Sequence, residues 1–133
     1  MPNNRKPFGY SYLLDMYNCK PGSADDLEIC YRFLEKLVRI LNMHPMGAPQ
    51  VIHGPTNELG EEKYPDKWGY TGFIPLIESG ITIHGLEEKH FITLDVYSCR
   101  HFNWLDVFNY ASETFEFTNY EGQIIERGKH YHG

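Results

Sequence analysis

From Phe91 to Ser98 the chain alternates, with Ile92, Leu94, Val96 and Ser98 on one parity and Phe91, Thr93, Asp95 and Tyr97 on the other. A period of two sends successive side chains to opposite faces, so this segment predicts a half-buried strand. Partial alternation of aromatic and apolar residues predicts another strand over 9–18, from Gly9 to Asn18. Shorter strands are expected at about 72–77, at 80–85 and at Gln50-Val51-Ile52-His53, and a last one around 114–127. A different period governs Leu27, Cys30, Leu34, Leu37, Val38 and Leu41, which recur every three or four residues. They form one apolar face of a helix over about 24–42. Lys20-Pro21-Gly22 breaks the chain before it, and Ser23 with Asp26 three residues on reads as its capping-box-like start. Asn103 is the expected cap of a second helix with Trp104, Val107, Phe108 and Ala111 on one face. Gly85 to Lys89 reads as a hairpin loop, and Gly54 to Asp66 as a long surface loop of the kind that is functional or mobile. The sum is an α+β domain: an antiparallel sheet with two helices on one face. The other face then needs a cover, and a second protomer would supply it.

Composition narrows the function. A chain of 133 residues is one domain with enough core to need no disulfide staples. The net charge of -6 and the lack of a basic stripe argue against a nucleic-acid partner. Three cysteines make an odd number without a CxxC pair, which argues against a disulfide framework or zinc ribbon and suits reduced thiols in a cytosol. No signal peptide and no apolar run of membrane-spanning length is present, so a cytoplasmic protein with no membrane partner is expected. The histidines form no HExxH or other clustered metal signature, so no metal is expected.

Candidate chemistry is concentrated in the middle of the chain. Glu78-Ser79 is followed by Ile83-His84, and Leu94-Asp95-Val96-Tyr97-Ser98 leads to Cys99. Gly69-Tyr70-Thr71-Gly72 precedes them and Glu126-Arg127-Gly128 follows. A Glu-Ser pair alone signals little, and a lone cysteine is more often a small core hydrophobe. In this order, however, the segments resemble the S-adenosylmethionine decarboxylase family, without a gap from Thr71 to Cys99. The resemblance implies an S-adenosylmethionine decarboxylase-like α/β sandwich that cuts itself before Ser79 into a β fragment, 1–78, and an α fragment, 79–133. Ser79 would become a covalent pyruvoyl cofactor. In that scheme the Ser79 hydroxyl attacks the Glu78 carbonyl with help from Thr71, and His84 removes the Ser79 α-proton. The pyruvoyl keto group then holds the substrate α-amine as a Schiff base, and Cys99 returns a proton after CO2 leaves. S-adenosylmethionine is the implied substrate, in polyamine biosynthesis, and a homodimer of processed protomers the implied assembly. For substrate binding, Glu88 matches the glutamate that holds the ribose hydroxyls, and Asp15 stands where the family carries a glutamate. Trp68 or Tyr64 would replace the adenine-stacking phenylalanine by position.

The chain also departs from the pattern. Gly80 stands where bacterial members carry histidine, Gly85-Leu86-Glu87 replaces Thr-Trp-Pro, and Arg100 replaces the glycine after the cysteine. The processing and protonation residues are thus kept while those that recognise a nucleoside have changed. Two alternatives stay open. One is the same chemistry on arginine or ornithine, with Asp15, Glu87 and Glu88 facing the cationic tail. The other is an unprocessed, non-catalytic relative that binds or regulates, for which Gly80 beside the scissile bond is the best support.

Overall fold

All the period-two segments become strands of a single sheet. The computed structural model describes residues 6–54 and 68–132. In chain order the elements are β1 (Gly9–Tyr17), α1 (Leu27–Ile40), β2 (Gln50–Gly54), β3 (Gly69–Leu76), β4 (Ser79–Leu86), a 3-10 turn (Glu87–Lys89), β5 (Phe91–Ser98), α2 (Trp104–Phe115) and β6 (Asn119–Arg127). Every pairing is antiparallel, in the order β2-β3-β4-β5-β1-β6. The expected α+β class, with two helices on one face of an antiparallel sheet, is what the chain forms. Most of the long loop expected before Gly69 lies outside the described residues, and Tyr64 with it.

Alternation decides which side chains meet the helices. Leu14 and Met16 of β1, Ile74 of β3, Ile81 and Ile83 of β4, and Ile92, Leu94 and Val96 of β5 are buried in one core. Phe33, Leu34 and Leu37 of α1 and Val107, Ala111 and Phe115 of α2 close that core from above. Helix α1 lies close to β3 because residue 72 is glycine: a Cβ there would fall 2.7 Å from the Cys30 sulfur. Burying side chains of this size stabilises the fold by about 1.5–3 kcal/mol each before entropy is counted.

Two element starts differ from the sequence expectation. The cap of α1 is Asp26, whose carboxylate accepts from the Glu28 and Ile29 N–H groups. Ser23 is instead fully buried and donates its hydroxyl to the Lys20 carbonyl, shaping the turn before the helix. Strand β6 begins at Asn119 rather than 114, because α2 runs on to Phe115 to bury that ring. Glu116, in the left-handed region at φ 49°, then ends the helix. Trp104 is 43% exposed, so the apolar face of α2 is Val107, Ala111 and Phe115.

The opposite sheet face carries Leu13 and Asp15 of β1, Phe73 of β3, Thr82 of β4, Asp95 and Tyr97 of β5, and Arg127 of β6. None of these belongs to the core. Among the described residues neither helix covers this face, and no helix is long and apolar enough to cross a membrane.

Candidate active site

The turn between β3 and β4 is two residues, Ile77-Glu78, with Leu76 paired to Ser79. Two-residue hairpin turns favour glycine or asparagine because they need positive φ angles. Ile77 and Glu78 offer neither, and the segment after α1 holds the turn closed. Pro45 bridges to Leu76, the Met46 N–H donates to the Pro75 carbonyl at 2.9 Å, and the Ile77 N–H donates to the His44 carbonyl at 2.9 Å. The Glu78 side chain folds back into the same contact. One carboxylate oxygen accepts from the His44 backbone N–H at 3.0 Å, and the other lies 2.7 Å from His44 Nδ1. Burial works against the Glu78 charge, but the His44 hydrogen bonds outweigh it and hold the carboxyl below its ordinary range.

The backbone around Ser79 is unusual. Ser79 has a φ of 145°, a region that side-chain-bearing residues rarely adopt and that costs about 1–3 kcal/mol. The carbonyl oxygen just before it, on Glu78, accepts from the Cys99 N–H at 2.8 Å. This follows from register: Ser79 pairs with Ser98 at the end of β5, so Cys99 is the next residue alongside the Glu78–Ser79 bond. Glu78, Ser79 and Cys99 therefore converge. Cys99 is exposed, whereas burial pushes the thiols of Cys19 and Cys30 up to about 11 and about 12.

Ser79 opens onto a cleft of about 570 Å3 on the uncovered face, lined also by Phe73, Gly80, Asp95, Tyr97 and Arg127. Gly80 lies against Phe73 in this lining, and a Cβ there would fall 2.8 Å from the Phe73 ring. Arg127 lies 4.6 Å from the Tyr97 ring centre and donates to the Ser11 hydroxyl at 3.0 Å. Burial, and then the charge of Asp15, raise the carboxyl of Asp95 above its ordinary value. Asp15 shares an adjoining acidic cleft of about 380 Å3 with Asp95 and Glu121.

The other residues singled out in the sequence lie elsewhere. Thr71 and His84 face each other across β3 and β4, with Thr71 Oγ1 2.8 Å from His84 Nδ1. His84 is five residues along β4 from Ser79, which on an extended strand is about 17 Å. Within one chain, then, the structure does not bring His84 or Thr71 to Ser79. Trp68 packs 5.7 Å from the His53 ring beside β2, and Glu88 is exposed on the 3-10 turn. Neither lines the Ser79 cleft. Glu87 accepts from the Gly22 and Ala24 N–H groups at 2.7 and 3.2 Å and so braces the loop before α1. Arg100 donates to the Leu41 and Asn42 carbonyls at 2.8 and 2.6 Å, closing the end of α1. The sequence reading missed Phe73, Asp95, Tyr97 and Arg127 as cleft residues, although the parity of β5 already placed Asp95 and Tyr97 on the polar face. It also missed His44, which sits in an irregular segment with no periodic signal.

Known proteins match this chain along most of its length. The profile of the S-adenosylmethionine decarboxylase family matches residues 10–128. An S-adenosylmethionine decarboxylase proenzyme of Clostridium botulinum (strain Langeland, type F) is 27% identical over 122 residues, covering 91% of this chain and 95% of its own. The proenzyme of the Loch Maree strain (type A3) is 26% identical over the same length. The crystal structure of the adenosylmethionine decarboxylase from Aquifex aeolicus VF5 superposes with a TM-score of 0.75 over 93% of both chains, at 24% identity, a likeness of fold. The chain belongs to the S-adenosylmethionine decarboxylase family.

Proposed function

We propose that this chain is a proenzyme that cuts itself between Glu78 and Ser79 and becomes a pyruvoyl-dependent decarboxylase of S-adenosylmethionine. The observation that carries the reading is the state of that one bond. Ser79 sits in a strained backbone conformation, and the Glu78 carbonyl oxygen already has an N–H donor from Cys99. A hydroxyl attack there relieves strain and places the developing negative charge on a preformed donor. Ser79 Oγ adds to the Glu78 carbonyl carbon, and the Ser79 nitrogen leaves with a proton, giving an ester and a free amine. Loss of the Ser79 α-proton breaks the Cβ–O bond and releases the Glu78 carboxylate. The remaining dehydroalanine tautomerises to an imine, which water hydrolyses to pyruvoyl and ammonia.

The base for the α-proton must come from another chain. A proton transfer needs heavy atoms within about 3 Å, whereas His84 is a strand's length from its own Ser79. Ser79 lines the cleft on the uncovered face, and His84 shares the strand parity of Thr82, which lines it too. Two copies packed face to face about a two-fold axis would set the Thr71–His84 pair of one over the Ser79 of the other. Thr71 Oγ1 lies 2.8 Å from His84 Nδ1 and so orients the imidazole that would take the proton.

The pyruvoyl group would supply the electron sink for CO2 loss from an α-amino acid. The cleft residues suit a sulfonium substrate. The Phe73 and Tyr97 rings offer aromatic faces to a cation, and Asp95 offers a charge. Cys99 is the accessible thiol that can return a proton to the substrate carbon. A cytoplasmic location fits these free thiols. The acidic cleft of Asp15, Asp95 and Glu121 favours a second reading, the same chemistry on arginine or ornithine.

Intact-mass analysis of purified protein tests the central claim. Two fragments split before Ser79, the second blocked by pyruvoyl, are expected, and Ser79→Ala should stay whole. A wild-type chain that stays whole, with no borohydride-sensitive carbonyl, would instead mark a non-catalytic binding protein. Assays with carboxyl-labelled S-adenosylmethionine, arginine and ornithine separate the two substrate readings.

A further inference from the structure

We propose that His44 is a positioning residue for self-cleavage, acting as the clamp that holds the Glu78–Ser79 bond in its reactive geometry. The inference rests on the cleavage reading above and adds a residue to it. A two-residue turn of Ile77-Glu78 has no intrinsic reason to close, and a serine has no intrinsic reason to adopt a φ of 145°. Strain of this kind persists only where the surroundings over-determine it. Here the restraint comes from one segment. The His44 carbonyl takes the Ile77 N–H, the His44 N–H takes one Glu78 oxygen, and the His44 ring takes the other. Glu78 is only 7% exposed, and His44 takes both oxygens of its carboxylate. Glu78 is thus held by its side chain on one side and by its carbonyl, through Cys99, on the other.

The arrangement also has an electrostatic effect. Negative charge develops on the Glu78 carbonyl oxygen in the tetrahedral intermediate of the acyl shift, is lost in the ester, and returns as the Glu78 carboxylate when elimination breaks the Cβ–O bond. An unpaired side-chain carboxylate on the same residue would oppose both. The hydrogen bonds from His44 draw that charge away from the reacting carbonyl.

The test follows freshly synthesised full-length chains by intact mass over time. Two variants are compared with wild type: His44→Ala and His44→Asn. Asparagine carries an amide N–H at the position of Nδ1, so His44→Asn keeps the donor. His44→Ala should cleave about tenfold to a hundredfold more slowly, the rate equivalent of one lost charge-assisted hydrogen bond. His44→Asn should stay within a few-fold of wild type. The slow step should be the acyl shift, so His44→Ala should hold no hydroxylamine-sensitive ester, unlike His84→Ala. Once formed, its pyruvoyl chains should turn over at the wild-type rate. Melting temperatures in a Ser79→Ala background separate folding from cleavage. If wild type splits and His44→Ala splits as fast, the clamp is refuted while the cleavage reading stands. Equal slowing in His44→Ala and His44→Asn, in step with lost melting temperature, would also refute it. A wild-type chain that never splits would remove both.

Discussion

Two chains that each fail alone should succeed together. His84→Ala keeps Ser79 but lacks the base, and Ser79→Ala keeps the base but lacks the hydroxyl. Each made by itself should yield no pyruvoyl. The geometry makes the mixture different, because the Ser79–His84 separation of about 17 Å along β4 exceeds proton-transfer reach several-fold. If each Ser79 is served by its partner's His84, a mixed dimer holds one competent site, on the His84→Ala chain. Random pairing of equal amounts makes about half of the dimers mixed, so about half of the His84→Ala chains should mature. Co-expression with two different affinity tags, followed by intact mass of each tagged chain, reads this directly. The pyruvoyl-blocked fragment should carry only the His84→Ala tag. A mixture with none, beside a wild type that matures fully, would show that Ser79 is served within its own chain and would refute the two-chain site.

Other substitutions test single roles. Cys99→Ala should process normally, since its backbone N–H remains, but turn over about 10²–10⁴-fold more slowly in a decarboxylation assay, as expected for loss of a general acid. Phe73→Ala should leave processing intact and raise the KM for S-adenosylmethionine about two- to twelvefold, from a ring contact of about 0.5–1.5 kcal/mol. Asp95 has a raised carboxyl, so its charged form costs stability as pH rises through the window above the ordinary aspartate range. Asp95→Asn should therefore raise the melting temperature at neutral pH and lose that advantage in acid, where both residues are neutral. A melting curve that does not change with pH would mean Asp95 is not strained by its burial and by Asp15.

How much of this was legible in the sequence depended on whether a feature is periodic. The alternation of β5 and the three-four spacing of α1 predicted their elements because burial on one face forces those periods. Ser23 and Asp26 are both good caps, and the choice between them was made by the fold, which buries Ser23. The site was harder to read because sequence distance is a poor guide on a strand. His84, five residues from Ser79, is far away, whereas Cys99, twenty residues on, is adjacent through the β4–β5 register. His44 was invisible because its importance comes from the turn it touches and not from any pattern around it.

The strand order has a consequence for what self-cleavage would leave behind. The cut would fall at the β3–β4 turn, at the end of the ladders and not across them. The fragment 1–78 would keep β1, β2 and β3, and the fragment 79–133 would keep β4, β5 and β6. In the order β2-β3-β4-β5-β1-β6, β1 is threaded between β5 and β6 of the other fragment. The two pieces would be interleaved like the fingers of clasped hands. They would migrate as one body until the whole sheet melted, and neither would have a fold of its own to fall back on.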